Sequence, residues 1–534
     1  MRKTLGATAL LVLVLLAGGA LRADDAAGAA AGRWWADVSV LAADSMQGRN
    51  TGSPEYQRAA EYVASEFQAA GIRPAGVQGF MQPVRFRTRR ILEDRSSLAL
   101  VRGATAEPLA LGEDATLNMR IDPAPSVEAG LVFVGYGLRV PEYRVDDFTG
   151  QDLHGNVAVY LTGGPSTVPG ALRAHYQSAG ERWAALRSAG AIGAIAIPNP
   201  KSMDVPWARS SPSRLLPAMT LADTALDDTA GERFAATFNP AHADKLLAGS
   251  GHTFAEILAL ADAGKPLPRF PLPARLRATV HAETGAVEAP NVVGVLPAAR
   301  PERRNEYVVV SAHLDHVGVG APIKGDRIYN GAMDNASGVA ALLEIARELK
   351  SQRNGPARSV LFVVVAGEEK GLLGSRYFVA HPTVARSGIV ADVNIDMFLP
   401  LFPMKEVMVL GLDESNLGAD IRAAAAQQHV GVQNDPEPQR NRFIRSDQYN
   451  FIRAGIPSLA MKVGYEEGTP EAGIARRWIA ERYHAPSDDL NQPIDRGAAA
   501  AYIALVRDLV TRIAARPDKP AWNEASFFRR FAAK

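Results

Sequence analysis

Apolar positions in the second half of this chain follow two alternating patterns. Short runs rich in Val, Ile and Leu are typical of strands buried on both faces, and segments with an apolar residue every three or four positions indicate amphipathic helices. The predicted strands are 289–296, 308–312, 359–366, 389–395, 407–410 and 458–463, and the predicted helices are 338–350 and 417–428. This alternation predicts an α/β domain whose central sheet, mostly parallel or mixed, is covered by helices on both faces.

The N-terminal part contains a helix that needs the same core. Ser53 and Pro54 are typical of the first positions of a helix, and Gly71 is typical of its end. The apolar stripe between them consists of Tyr56, Ala59, Ala60, Val63, Phe67 and Ala70. Because such a stripe must pack on a core, we assign residues 24–126 to the same domain as residues 286–515, and we take 516–534 as a C-terminal tail.

Residues 127–285 have a different pattern. Short β-type runs are separated by Gly and Pro, at 131–137, 156–161 and 192–197, with helices predicted at 183–190 and 254–263. The segment contains no cluster of carboxylates or histidines. We therefore predict a smaller inserted β/α domain that serves as a lid or packing domain without contributing chemistry.

The first 23 residues are typical of a secretory signal peptide. Arg2 and Lys3 precede an apolar run at 5–20, and small residues lead to Ala23. A membrane anchor is the alternative, but the run is shorter than the ~20 apolar residues that a spanning helix needs. We expect export to the periplasm or the medium, with no stable membrane insertion after cleavage.

Composition limits the possible chemistry and partners. The chain has 58 Lys and Arg against 57 Asp and Glu, so no overall basic field favours nucleic acid. It has no Cys, which excludes disulfides and thiolate metal ligands. Any metal site must therefore use histidines and carboxylates.

Residues of these types occur next to the predicted elements. Three groups follow directly on predicted strands, and one Asp lies in a loop bounded by Gly and Ser just before the predicted helix 338–350. The candidates are His313, Asp334, Glu368, Glu369, Asp396 and His484. Because open α/β sheets build their ligand sites at the carboxyl ends of strands, we expect these side chains to converge.

Two imidazoles and three carboxylates suit zinc, with manganese or cobalt as alternatives. They are too many for one ion, so we predict two zinc ions ~3.5 to 4 Å apart with Asp334 as the bridge. Glu368 is then left without a metal and is the candidate general base. The remaining assignments are Asp315 as the partner that holds the His313 ring, and His316, His381 and His429 as surface or hydrogen-bonded core histidines.

Five motifs occur in order, at 313–315, 333–338, 368–375, 394–397 and 483–488. Together they resemble the secreted di-zinc peptidases of the family that contains bacterial leucyl-type aminopeptidases, glutamate carboxypeptidase-like enzymes and glutaminyl cyclases. The segment 41–54 is similar to the N-terminal part of these enzymes, and residues 127–285 resemble their inserted protease-associated domain. The resemblance implies a catalytic domain formed by 24–126 and 286–515.

The resemblance also implies roles for single residues. It places His313, Asp334 and Asp396 on one ion, Asp334, Glu369 and His484 on the other, and Glu368 as general base. The implied reaction is removal of N-terminal residues from peptide substrates; the oligomeric state stays open. One departure is Gln448, which stands where relatives often have His and cannot carry a positive charge.

Two alternatives remain. Carboxypeptidase or cyclase chemistry could use the same metal site, and Arg440, Arg442 and Arg445 would then be available for a substrate carboxylate, although solvated surface arginines are the simpler interpretation. A binding protein without catalysis is the second alternative.

Overall fold

The computed structural model describes residues 27–532, with two large β-sheets surrounded by helices. The predicted signal peptide lies outside these residues. None of the described helices is both long and apolar enough to cross a membrane. The helices are 27–41, Pro54–Ala69, Gly170–Gln177, Ala179–Ser188, Trp207–Ser210, Asp244–Leu247, Phe254–Asp262, Ser337–Ser351, Leu373–Ala380, Leu417–Gln427, Gln448–Arg453, Pro470–Glu481 and Arg496–Ala515.

The larger sheet has ten strands and is mixed. Its order is Ala218–Leu221, Met81–Ile91, Ala282–Leu296, Ser359–Val365, Tyr307–His313, Ile389–Asn394, Ser458–Val463, Glu406–Leu410 and Gly431–Gln433, with Arg73–Pro74 paired to Ala282–Leu296. The four strands from Ser359–Val365 to Ser458–Val463 run parallel, and antiparallel neighbours flank them on both sides. The predicted α/β class with a mixed sheet is confirmed.

Helices cover both faces of this sheet. Along a strand, successive side chains point to opposite faces, so Val308 and Val310 enter one core while Val309 enters the other. The first core includes apolar side chains of helices Ser337–Ser351 and Arg496–Ala515. The second includes Phe378 and Phe451, from two short helices on the opposite side. The carboxyl ends of the parallel strands therefore meet at one edge of a largely buried sheet.

The smaller sheet has eight strands and its own apolar core. Its order is Thr105–Leu109, Ser97–Arg102, Arg269–Thr279, Ser126–Val134, Val157–Leu161, Gly193–Ile197, Phe234–Phe238 and Ala115–Leu117. Three of these strands precede residue 127, where the inserted domain was predicted to begin, and Ala218–Leu221 pairs instead with the larger sheet. The division into domains itself stays a prediction.

Long antiparallel strands link the two sheets. Met81–Ile91 pairs with Ala282–Leu296 from the Met81–Val292 pair to the Ile91–Ala282 pair. Two small ribbons complete the strands, Gly318–Ile323 with Asp326–Tyr329 and Arg139–Val140 with Val145–Asp146.

Candidate metal centre

His313 is the last residue of a central parallel strand, and its ring is held from behind. Nδ1 lies 3.0 Å from the main-chain oxygen of Asp315. Because a carbonyl only accepts, this contact keeps the proton on Nδ1 and leaves Nε2 free to bind a metal. Asp315 was predicted to hold this ring; its main-chain oxygen makes the contact.

The Asp315 carboxylate connects two neighbouring loops through hydrogen bonds. It accepts hydrogen bonds from the backbone N–H groups of Glu368 at 3.0 Å and Glu369 at 3.3 Å, and from the Thr51 hydroxyl at 2.9 Å. Asp315 thus ties the loop after His313 to the loop that carries both glutamates.

Asn335 joins the Asp334 turn to the Asp396 segment. Its Nδ2 donates to the carbonyl of Ile395 at 2.9 Å, and its Oδ1 accepts from the N–H of Met397 at 3.2 Å. These two groups flank Asp396, so one side chain sets the separation of two predicted ligands. The peptide bond between Asp334 and Asn335 is cis.

Two buried charged residues hold the Asp334 turn from the other side. The Asp488 carboxylate accepts from the N–H groups of Met333 at 2.9 Å and Asp334 at 3.0 Å. The guanidinium of Arg49, which is fully buried, donates to four carbonyls: Leu41 at 2.6 Å, Asn330 at 2.7 Å, Leu314 at 2.9 Å and Gly331 at 3.0 Å. Neither residue was predicted to have a role, because their contacts lie far apart in sequence.

The two oxygens of Asp334 face different groups of ligand atoms. Oδ1 lies 3.3 Å from Nε2 of His313, which is 3.5 Å from Oδ1 of Asp396. Oδ2 lies 3.2 Å from Nε2 of His484, which is 3.2 Å from Oε1 of Glu369. Ligand atoms 2.0–2.1 Å from a tetrahedral zinc are ~3.3 Å apart, so both spacings suit that ion. The structure thus brings together all five predicted ligands.

The charge balance of this cluster also fits divalent cations. Buried oxygens of Asp334, Glu369 and Asp396 make no hydrogen bond within the described chain. Such oxygens are costly unless a cation compensates them. Burial disfavours a charged His484, yet the negative charges and hydrogen bonds of Glu369 and Asp334 together outweigh it and raise the pKa of His484 to about 10. A bound divalent ion would take the place of that proton.

Glu368 differs from its neighbour Glu369. Its carboxylate belongs to neither group of ligand atoms in the described chain. Burial raises its pKa well above the usual range, and the negative charges of Glu369 and Asp396 add to this rise while His313 opposes it. A carboxylate of this kind is suited to accept a proton rather than to bind a metal.

The structure places His316 in the cluster, which the sequence interpretation did not. Its ring is fully buried, and Nδ1 lies 2.8 Å from Oε1 of Glu369. The available signal was the presence of a second histidine three positions after His313. By contrast, His381 pairs with Asp223 at 2.9 Å and His429 is exposed, in keeping with the expectation for both.

Gln448 keeps a purely neutral role. Its Oε1 accepts from Nδ2 of Asn394 at 2.8 Å, and its Nε2 donates to the carbonyl of Phe443 at 3.0 Å. The amide therefore holds the end of the strand that precedes Asp396.

The three arginines considered for a substrate carboxylate already have acidic partners. Arg440 and Arg445 both pair with Asp204. Arg442 pairs with Asp435 at 2.7 Å and with Glu437. They line one side of a partly open cavity beside Asp396, whose apolar lining includes Met397, Leu399, Phe402, Met408 and Ile479.

Residues of the segment 97–279, which forms the smaller sheet, reach the loops that carry two of the predicted ligands, Glu369 and His484. Arg120 donates to the carbonyl of Glu369 at 2.7 Å. Arg209 donates to the carbonyls of Ala480 at 2.7 Å and Tyr483 at 3.1 Å, directly before His484. This segment therefore supports, from outside the larger sheet, the backbone of the two loops that carry Glu369 and His484.

Residues 291–510 match the sequence model of peptidase family M28. This part of the chain is similar to the M28 peptidases. All six candidate residues lie within it, and the resemblance found in the motifs is confirmed. Aminopeptidase YwaD of Bacillus subtilis is 30% identical over 233 residues, which are 41% of this chain and 45% of that protein. A probable zinc metalloprotease of Pyricularia oryzae is 31% identical over 218 residues, 38% of this chain and 42% of that protein.

The M28 similarity thus spans less than half the length of these relatives. Among solved structures, an aminopeptidase from Aneurinibacillus sp. strain AM-1 aligns over 92% of this chain and 95% of its own, with a TM-score of 0.55 and 21% identity. At that identity the likeness shows a shared fold.

Proposed function

We propose that this chain is an exported, zinc-dependent aminopeptidase that hydrolyses N-terminal residues from peptides. The observation that carries the proposal is the Asp334 carboxylate, whose two oxygens face two separate groups of ligand atoms. A carboxylate shared between two groups is suited to a pair of zinc ions. The aminopeptidase and zinc metalloprotease names of the relatives support the reaction class and the metal.

In this proposal five residues bind the metal ions and Glu368 transfers the proton. When bound, two divalent ions supply Lewis acidity toward the scissile carbonyl and lower the pKa of the attacking water. His313, Asp334 and Asp396 would hold one ion, and Asp334, Glu369 and His484 the other. Glu368 would take the proton of the attacking water and deliver it to the leaving amine.

The pairing of the arginines favours an aminopeptidase over a carboxypeptidase. Asp204, Asp435 and Glu437 already neutralise the three arginines that could bind a substrate's C-terminal carboxylate. Breaking such pairs to bind a new anion costs free energy. The cavity beside Asp396 has room for an uncharged side chain at the N-terminus of a peptide.

A substrate panel with metal control tests the reaction. Aminoacyl anilides, the same compounds blocked at the amine, and peptides with free or amidated C-termini are compared before and after chelation. We expect cleavage only of substrates with a free amine, loss of activity with chelator and recovery with zinc. Cleavage that depends on a free C-terminus would indicate a carboxypeptidase, and zinc-loaded protein that cleaves nothing would indicate a binding protein.

Metal content tests the number of ions. Elemental analysis of active protein should give about two zinc ions per chain. One ion in fully active protein would instead favour a cyclase-like site with a single metal.

The two adjacent glutamates should respond differently to substitution. Glu368→Gln should keep both ions and lower kcat by about 10² to 10⁴, because the amide cannot accept the proton of water. Glu369→Ala should instead lose metal, because one ion then loses a ligand. Glu302→Gln, an exposed glutamate in the loop before the central strand Tyr307–His313, is the control and should change neither property. Metal loss in Glu368→Gln would show that the two roles are reversed.

Export is proposed from the N-terminal sequence. Cell fractionation with N-terminal sequencing of the mature protein tests it, and we expect a mature chain that begins near residue 24 outside the cytoplasm. An intact N-terminus in the cytoplasmic fraction would contradict export without affecting the metal chemistry.

A further inference from the structure

His316 lies against the second group of ligand atoms. Its Nδ1 is 2.8 Å from Oε1 of Glu369 and 3.7 Å from Oδ2 of Asp334. These spacings bracket the ~3.3 Å expected between two ligands of a tetrahedral zinc ion. The ligand atoms of His316, Asp334, Glu369 and His484 all lie within 4.8 Å of one another.

The contact between His316 and Glu369 is close, but its angles are poor for a hydrogen bond. Neither ring nitrogen of His316, nor Oε1 of Glu369, makes a hydrogen bond with good geometry to a described residue. All three atoms are buried. Buried polar atoms without such a partner are costly, whereas a cation placed between Nδ1 of His316 and Oε1 of Glu369 would bind both.

The chain makes room for the ring at this position. Gly331 has a φ of +63°, and a Cβ there would lie 2.5 Å from Cγ of His316 and 2.2 Å from the main-chain oxygen of Asp334. Any side chain at residue 331 would therefore push against the His316 ring or the Asp334 turn. The backbone N–H of His316 also points to the carbonyl of Arg49, at 3.4 Å, which anchors the loop.

We propose that His316 is a ligand, through Nδ1, of the ion held by Glu369 and His484. This inference rests on the proposed metallopeptidase function. It makes the two sites unequal: four side chains would hold this ion, but only His313, Asp334 and Asp396 would hold the other. Sites with four protein ligands are closed, and sites with three keep a position open for water or substrate. The ion near His313 is then the exchangeable one, and the two ions load in sequence.

The wild-type protein tests the ligand count without any substitution. X-ray absorption of protein loaded with two zinc ions reports the mean number of imidazoles per ion. Three histidines shared by two ions give a mean of one and a half, whereas the pair His313 and His484 alone gives one. A titration of metal-free protein with zinc should also show two steps, with the tighter ion binding first. A mean of one imidazole per ion would overturn the proposal.

Substitutions separate a ligand from a hydrogen-bond partner. His316→Ala should weaken the tighter ion by more than ~100-fold, because loss of a supporting residue alone typically costs 10- to 100-fold. The weaker ion should change by about twofold at most. His316→Asn keeps an N–H near the position of Nδ1, so it should restore zinc affinity only if His316 merely donated to Glu369. His381→Ala, which removes a histidine paired with Asp223, is the matched control and should leave both steps unchanged.

The outcomes also separate this inference from the proposed function. Two ions bound with wild-type affinity in His316→Ala would refute the ligand role while leaving the peptidase proposal intact. Three imidazoles on two ions in a protein that cleaves no peptide would support the ligand role and refute the peptidase. Wild-type protein that binds no zinc would refute both.

Discussion

Replacing Arg49 by lysine is expected to loosen the metal centre while keeping its charge. The guanidinium of Arg49 is fully buried and donates to the carbonyls of three segments: the end of helix 27–41, the loop after His313, and the turn before Asp334. Burial lowers the pKa of Arg49 to about 10, so it stays protonated at neutral pH. Its positive charge also lies among the acids of the site.

The magnitude follows from the number of carbonyls left without a donor. A lysine carries its three donors on one atom and cannot span four oxygens from three segments. If it reaches two of them, two buried carbonyls lose their partner at ~1–3 kcal/mol each. The expected loss in the free energy of unfolding is therefore about 2 to 6 kcal/mol, a large share of a typical total of ~5–15 kcal/mol.

Urea unfolding followed by intrinsic fluorescence measures this loss. Metal-free protein should be used, because bound zinc would add its own stabilisation. Arg58→Lys is the matched control: Arg58 lies in the next helix, is half exposed and pairs with Glu55, so its replacement should cost at most about 1 kcal/mol. If Arg49→Lys is no less stable than Arg58→Lys, the buried guanidinium of Arg49 does not hold the three segments together.

Two other predictions concern the Asp334 turn and the smaller sheet. Asp488→Asn should weaken zinc binding by ~10- to 100-fold in equilibrium dialysis. The carboxylate accepts hydrogen bonds from the N–H groups of Met333 and Asp334, and the NH₂ group of the asparagine cannot accept them. Unchanged affinity would mean that other contacts hold the turn. Burial raises the pKa of Glu232 from 4.5 to about 8, so the folded state keeps a proton that the unfolded state loses. Stability should fall as the pH rises from 4.5 to 8, by at most about 5 kcal/mol. Glu232→Gln should remove this slope from unfolding curves, and an identical slope in both proteins would contradict the assignment.

The central strands could be predicted because they are buried on both faces. The predicted strand 308–312 is one residue short at each end of the observed Tyr307–His313, and the predicted strand 359–366 is one residue longer than the observed Ser359–Val365. Met81–Ile91 was not predicted, because two of its buried positions are the polar residues Gln82 and Arg89 and its partner lies about two hundred residues away. A strand of that kind is specified by long-range pairing rather than by a continuous apolar run.

The candidate site residues next to buried strands could also be predicted from the local sequence. His313, Glu369 and Asp396 follow buried strands, and that local signal was enough to nominate them. Their assignment as metal ligands stays a prediction, although the structure brings the side chains together. His316 lies in a loop and Arg49 ends a short 3-10 helix, with no periodic pattern around either, so only the folded chain reveals what they contact.

The contacts of Arg120 and Arg209 have a consequence for the order of events on heating. These arginines belong to the segment 97–279, yet they donate hydrogen bonds to main-chain carbonyls at or near Glu369 and His484. If the smaller sheet separates from the larger one, both loops lose a support while the parallel strands remain paired. Zinc release, followed with a colorimetric chelator, would then begin at a lower temperature than the main calorimetric unfolding transition. The temperature at which release begins would report the separation of the two sheets.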